Sequence, residues 1–230
     1  MNLLAVGPHP DDIEFGCAPV LLKETRAGNS VHLLVLTRGE AGSAGTPEIR
    51  EQEAREAARR MGAGIEFLEM GGDCHLQFRP ENTIRIAREI RRQRPAIVLA
   101  PHPDENQHPD HAVAGRMVRD ACRLARYGGL EELRDWAVHH VDNLFYYNIT
   151  RHLGALPDLI VGIDDVVEEW EALMNCHASQ VSTKEYLELQ KSAARVLGLA
   201  TGSGYAIGLF TNDPVRVTRL SDLTLSARSF

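Results

Sequence analysis

No run of about 18 apolar residues occurs in the chain, so none of its helices is expected to span a membrane. No C-x-x-C pair occurs either. Cys17, Cys74, Cys122 and Cys176 are dispersed, which argues against a zinc knuckle or a thioredoxin-type pair and fits a reducing compartment. The opening segment MNLLAVGPHPDD has no basic leader, and its apolar stretch stops after about six residues, so no signal peptide is expected and the expected location is cytoplasmic. Neither Gly62-Ala63-Gly64 nor Gly202-Ser203-Gly204 completes G-x-G-x-x-G, and the turn after the first apolar run is Pro-His-Pro-Asp-Asp, which excludes a dinucleotide fingerprint. A phosphate loop and a G-x-S-x-G nucleophile elbow are also missing. Positive charge is in deficit: 25 Lys and Arg face 32 Asp and Glu, a formal net charge of −7, which disfavours a nucleic-acid partner. The densest basic run, Arg88 to Arg94, reads as the polar face of a helix.

What is present belongs to an ordinary globular protein. The 230 residues are 43% apolar and 25% charged. A chain of this length buries roughly 70–75% of its unfolded surface, enough for a core without staples. Short apolar runs at Leu3–Gly7, Val31–Leu36, Ile65–Leu68 and Ile97–Ala100 read as strands buried on both faces. Helical patterns separate them: Asp12 to about Ala27, Thr46 to Met61 with Pro47 at its first position and Gly62 at its stop, Pro80 to about Arg94, and His108 to about Arg126. The second half is weaker, with strands at Leu144–Tyr147, Leu159–Ile163 and Phe210–Val217 and helices at Val166–His177 and Lys184–Leu197. Alternation of this kind predicts an α/β fold, a mostly parallel sheet with helices on both faces, formed by a single domain over residues 1–230.

In such sheets the site lies beyond the carboxyl ends of the strands. Four segments fall there: Pro8–Asp12, Arg38–Gly42, Gly71–Asp73 and Pro101–His111. His9 and Asp12 stand three apart across a strand-to-helix turn, and His108 and His111 stand three apart at the start of a helix. Imidazole with carboxylate is a donor set for Zn²⁺ or Fe²⁺, and two histidines with one carboxylate leave open positions for water and substrate. Asp11 is left beside the cluster, where a carboxylate can take a proton as general base. His108, if not a ligand, could stabilise an oxyanion or donate to a leaving amine. His32, His139, His140 and His152 have no such setting and read as structural or surface residues.

These motifs resemble the LmbE-like, or PIG-L, deacetylases. The likeness rests on Pro8-His9-Pro10-Asp11-Asp12, Thr37-Arg38-Gly39-Glu40-Ala41-Gly42 and His108-Pro109-Asp110-His111. It extends to Arg50 with Glu53, to Asp73, and to Ser179-Gln180. Within the family the chain looks most similar to the branch containing N-acetylglucosaminyl-malate deacetylase of bacillithiol synthesis. The resemblance implies a Rossmann-like (LmbE-like) fold and a zinc-dependent hydrolase that removes acetyl from an N-acetylglucosamine-type substrate. It implies His9, Asp12 and His111 as metal ligands, Asp11 as general base, and His108 as the electrostatic catalyst oriented by Asp110. Arg50 and Asp73 match positions that hold sugar hydroxyls, and several relatives form homo-oligomers, hexamers among them. Asn106 stands where the mycothiol-branch relatives carry tyrosine, and Ile207 stands where relatives often carry glutamate. A malate group on the sugar would call for cations, for which Arg38, Arg79, His75 and Lys184 are candidates by loop position.

The mechanism expected from this reading has Asp11 deprotonating the attacking water, a protonated His108 facing the oxyanion, and Asp11 or His108 returning a proton to the departing amine. A carboxylate partner in Asp110 would raise the His108 pKa. Rival readings are a deacetylase of another small N-acetylated amino sugar, a mononuclear-iron protein built on a facial triad, and a sugar-binding protein without catalysis.

Overall fold

The computed structural model describes residues 1–104, 108–149, 156–182, 185–223 and 226–227. Among them are the strands β1 (Asn2–Gly7), β2 (Ser30–Val35), β3 (Gly64–Phe67), β4 (Ile97–Pro101), β5 (Asn143–Tyr147), β6 (Leu159–Gly162) and β7 (Ala206–Thr211). They form one mixed sheet in the order β3-β2-β1-β4-β5-β7-β6. The first five run parallel, and β7 lies antiparallel between β5 and β6. The helices are α1 (Asp12–Gly16), α2 (Ala18–Arg26), α3 (Pro47–Met61), α4 (Pro80–Gln93), α5 (Pro109–Leu124), α6 (Val167–Met174), α7 (Ala178–Val181) and α8 (Tyr186–Ala200).

The strands are continuous apolar runs because both faces of the sheet are covered. Successive side chains point to opposite faces. Leu3, Ala5, Leu33 and Leu99 pack with Leu21 of α2, Ala57 of α3 and Trp170 of α6. Leu4, Val6, Leu34 and Val98 pack with Ile86 and Ile90 of α4 and Met117 of α5. Trp170 is fully buried and its Nε1 donates to the Glu14 carbonyl at 2.8 Å, so it binds α6 to α1. Trp170→Ala is expected to cost about 3–5 kcal/mol, read as a lower denaturation midpoint in urea.

Three details differ from the sequence expectation. The helix expected over Asp12–Ala27 is two helices, broken at Cys17 (φ −146°), because Pro19 cannot donate within a continuous helix and its ring would meet the carbonyl one turn back. The last strand is Ala206–Thr211 rather than Phe210–Val217, since Ile207, Leu209 and Phe210 carry the buried pattern and Pro214 follows. Within the basic run, Arg91 is not on a solvated face. It is buried, and its guanidinium donates to the carbonyls of Ala125, Tyr127, Leu133 and Trp136, tying down the chain beyond α5.

β1 pairs with β2 on one side and β4 on the other, so the strand order reverses at β1. The loops leaving β1 and β4 part at this switch point and open a crevice between them, the usual ligand position in open α/β sheets. The P-H-P-D-D and H-P-D-H segments are carried by those two loops.

Candidate metal centre

The first loop is shaped by its own hydrogen bonds. The His9 amide donates to Asp12 Oδ2 at 2.8 Å, so the turn closes on the carboxylate it presents. Asp11 sits at φ 124°, a conformation that L residues rarely adopt and that costs of order 1–3 kcal/mol. The second loop is set by the cap of α5. His108 is the N-cap residue, its Nδ1 accepts the Asp110 amide at 3.2 Å, and Pro109 opens the helix. With Nδ1 accepting, the proton of the neutral ring lies on Nε2, which faces the crevice.

The two loops meet. His9 Nδ1 lies 3.0 Å from Asp12 Oδ2, and His111 Nε2 lies 3.2 Å from Asp12 Oδ1. His9, Asp12 and His111 are all buried. On the far side of its ring, His9 Nε2 reaches Asp73 Oδ1 at 3.1 Å and Asp110 Oδ2 at 3.2 Å. These carboxylates hold a proton on Nε2 and leave the Nδ1 lone pair for a cation, the carboxylate–histidine arrangement that fixes a metal ligand's tautomer. Imidazole and carboxylate donors near 3 Å apart have the spacing of atoms about 2.0–2.2 Å from one divalent ion, so the residues fit such a group. Nitrogens of His9, His108 and His111 also fall within 4.8 Å of one another, as do donor atoms of His9, Asp73, His108 and Asp110.

Burial and charge set the protonation states. Burial pushes the Asp11 carboxyl up to about 6, reinforced by the negative Asp12 and opposed by Arg50, His177 and His9. Asp12 feels the same burial, but His111 and His9 outweigh it and hold the carboxyl well below the usual range. Burial opposes a charge on His9, yet Asp12, Asp110 and Asp73 outweigh it and raise its pKa. His108 is lowered by its own burial and by the two neighbouring histidines, which outweigh the raising effect of Asp110 and Asp73.

The contacts of Asp110 differ from the expected ones. Its carboxylate does not hold the His108 ring. It accepts from His9 and, at 2.9 Å, from the Cys74 amide, while His108 is oriented by the backbone of Asp110. The lowered pKa and the accepting Nδ1 both favour the neutral ring with its proton on Nε2.

Arg50 and Asp73 also lie at the site. Arg50 is buried on α3 and donates to the carbonyls of Gly39 at 2.9 Å and Pro10 at 3.2 Å, with Asp11 Oδ2 at 3.4 Å. A Cβ on Gly39 (φ 71°) would lie 2.0 Å from Arg50 Nη1, which explains glycine in the T-R-G-E-A-G loop. Glu40 of that loop accepts the Asp73 amide at 2.9 Å. Glu53, one turn beyond Arg50, accepts both the Ser179 amide (2.8 Å) and its hydroxyl (2.6 Å), and Gln180 donates to the Ala44 carbonyl at 2.9 Å. Arg50 thus ties the first loop to the T-R-G-E-A-G loop, while Glu53, Ser179 and Gln180 join α3, α7 and Ala44 beside it.

A cavity of about 230 Å³ opens over the His9–Asp12 turn, walled by Phe15, Ser43, Arg50, Gln180 and Tyr186. A larger one of about 810 Å³ lies against α5 and β5, away from His9, His108 and His111. Arg38, Arg79 and His75 do not line the smaller cavity; Arg38 is paired with Glu51 at 2.8 Å. Asn106, Lys184 and His152 lie outside the described residues. His139 bonds the Pro95 carbonyl at 2.8 Å, and His140 is 3.7 Å from Asp142.

Two features escaped the sequence reading. His177 is fully buried with its Nε2 3.5 Å from Glu14 Oε2. Burial works against its charge, and Glu14 outweighs burial to raise its pKa. Its place two residues before Ser179-Gln180 was the available signal. The other is Cys74, whose Sγ stands 3.5 Å from His108 Nε2.

Residues 4–122 match the PIG-L family, described as GlcNAc-PI de-N-acetylase. A conserved protein from Thermus thermophilus has a solved structure with TM-score 0.85 and 36% identity, covering 94% of this chain and 96% of that one. Diacetylchitobiose deacetylase of Thermococcus kodakarensis is 29% identical over 226 residues, 90% of this chain and 82% of its own length. The probable N-acetyl-alpha-D-glucosaminyl L-malate deacetylase 2 of Bacillus anthracis is 29% identical over 197 residues, 80% of this chain and 83% of its own. A 4-oxalmesaconate hydratase of Pseudomonas putida is 25% identical over 236 residues, 94% of this chain and 91% of its own.

Proposed function

Because the chain belongs to the PIG-L family of de-N-acetylases, we propose that it is a metal-dependent hydrolase that removes the N-acetyl group from an N-acetylglucosamine-type sugar. The observation that carries this reading is the meeting of His9 Nδ1, both Asp12 oxygens and His111 Nε2 at the switch point, with Asp11 beside them. His9, Asp12 and His111 would hold the cation, with zinc as the first choice for a nitrogen and carboxylate set and Fe²⁺ as the second. Such a cation supplies Lewis-acid chemistry, acidifying water and polarising a carbonyl.

The chain's own groups do the rest. Asp11 accepts the proton of the water that attacks the acetamide carbonyl, held in place by the Arg50 guanidinium. His108 directs its Nε2–H toward the crevice, where it donates to the oxyanion while remaining uncharged. Asp11 then returns its proton to the departing nitrogen, giving acetate and a free amine. Arg50→Ala is expected to keep the metal and to lower kcat/KM about ten- to a hundredfold, the worth of a charge-assisted hydrogen bond or two, and loss of the metal would instead make Arg50 a strut of the first loop.

Relatives named for diacetylchitobiose and for a glucosaminyl malate leave the second half of the substrate open between a sugar and a carboxylic acid. Among the described residues lining the cavity the only Lys or Arg is Arg50, which already pairs with Asp11, and this supports the sugar. The test is a panel of N-acetylglucosaminides with neutral and malate aglycones, read as acetate and free amine. Acetate release supports the reading. Hydration of an unsaturated dicarboxylic acid without acetate release from any sugar would place the chain with the hydratase relative and overturn it.

A further inference from the structure

The Cys74 thiol has no part in the reaction just described, yet it stands among donors. Its Sγ lies 3.4 Å from Asp73 Oδ1 and 3.5 Å from His108 Nε2, and those two atoms are 3.5 Å from each other. Thiolate, imidazole and carboxylate bound to one tetrahedral zinc, at about 2.3, 2.0–2.1 and 2.0–2.2 Å, stand about 3.3–3.7 Å apart. The three side chains therefore already have the edges of such a coordination polyhedron. Cys74 is exposed and the His108 side chain is 26% exposed, so an ion can enter from solvent. The Cys74 amide is anchored on Asp110 and the residue sits at φ 65°, so the thiol is aimed by a fixed loop.

We propose that Cys74, His108 and Asp73 form a second metal site, selective for soft divalent ions such as zinc, cobalt or cadmium, and that its occupation silences the enzyme by capturing His108. Binding releases the thiol proton to water, moves the His108 ring proton from Nε2 to Nδ1 at the expense of the bond that Nδ1 accepts from the Asp110 amide, and leaves the fourth position to solvent. Magnesium and calcium, which prefer all-oxygen shells, are not ligands for it. The site fills second, because only it must give up a thiol proton to bind, and an ion already held by His9, Asp12 and His111 repels another. The inhibitory half rests on the hydrolase reading; the metal site itself does not.

The experiment titrates metal-free protein with cobalt and follows thiolate-to-cobalt charge transfer in the near ultraviolet. The first equivalent is expected without that band and the second with it, while Cys74→Ala and Cys74→Ser bind the first equivalent and lack the band. Alkylation of Cys74, read by mass spectrometry, is expected to slow at the second equivalent. A second equivalent without the band in the wild type, or a band that survives in both variants, overturns the site. Excess zinc is expected to inhibit acetate release at a concentration at least about tenfold lower in the wild type than in Cys74→Ala, as loss of a ligand predicts. Binding with no such difference overturns the inhibitory role. Absence of acetate release from the one-equivalent enzyme contradicts the hydrolase reading and leaves the spectral result standing.

Discussion

Asp11→Asn is expected to keep its metal and to lose kcat by about 10²–10⁴-fold, the usual worth of a positioned general base. The substitution is close to isosteric, and asparagine tolerates positive φ better than most residues, so the strained turn at φ 124° should persist. An amide oxygen can still accept from Arg50, so the brace through Pro10 and Gly39 is retained. What disappears is the ability to take a proton. Full activity in this variant, with metal bound, would remove Asp11 from the mechanism.

His111→Ala is expected to lose the metal together with activity. His111 is buried and its Nε2 faces Asp12 Oδ1. Without it the cation would be left with His9 and one carboxylate, too few protein ligands for a catalytic site of this kind. Metal content after dialysis is expected to fall from about one ion per chain to a small fraction, and added zinc should restore little turnover. A variant that keeps stoichiometric metal together with most of its activity would show that His108 is the second imidazole ligand, the alternative that the His9, His108, His111 group allows.

Much of this is legible in the amino-acid sequence. Parallel strands covered on both faces must read as unbroken apolar runs, and Leu3–Gly7 and Ile97–Ala100 did. The loops that follow them carried the dense chemistry, and the spacing His9-x-x-Asp12 survives as a closed turn. The helix start at Thr46-Pro47 and its stop at Gly62 were local signals, and local geometry obeys them: Thr46 accepts the Ile49 amide and Gly62 has φ 75°. What did not read locally depends on long-range packing. Arg91 sits in a run that looks solvated, but four distant carbonyls need a donor and the guanidinium provides it. The Asp110 carboxylate was assigned to its neighbour His108, whereas the fold brings His9 from a hundred positions away to claim it. Cys74 carries no periodic or spacing signal; a loop with positive φ at Gly71, Gly72 and Cys74 delivers it to the histidines.

The most direct test of the central claim is a zinc titration of the metal-free protein with acetate release read at each step, alongside bound metal per chain. Activity should be negligible without metal, rise in proportion to zinc up to one equivalent, and fail to rise in His9→Ala or His111→Ala. Acetate release by metal-free protein at the full rate, or activity that still rises with zinc after loss of both histidines, would contradict it.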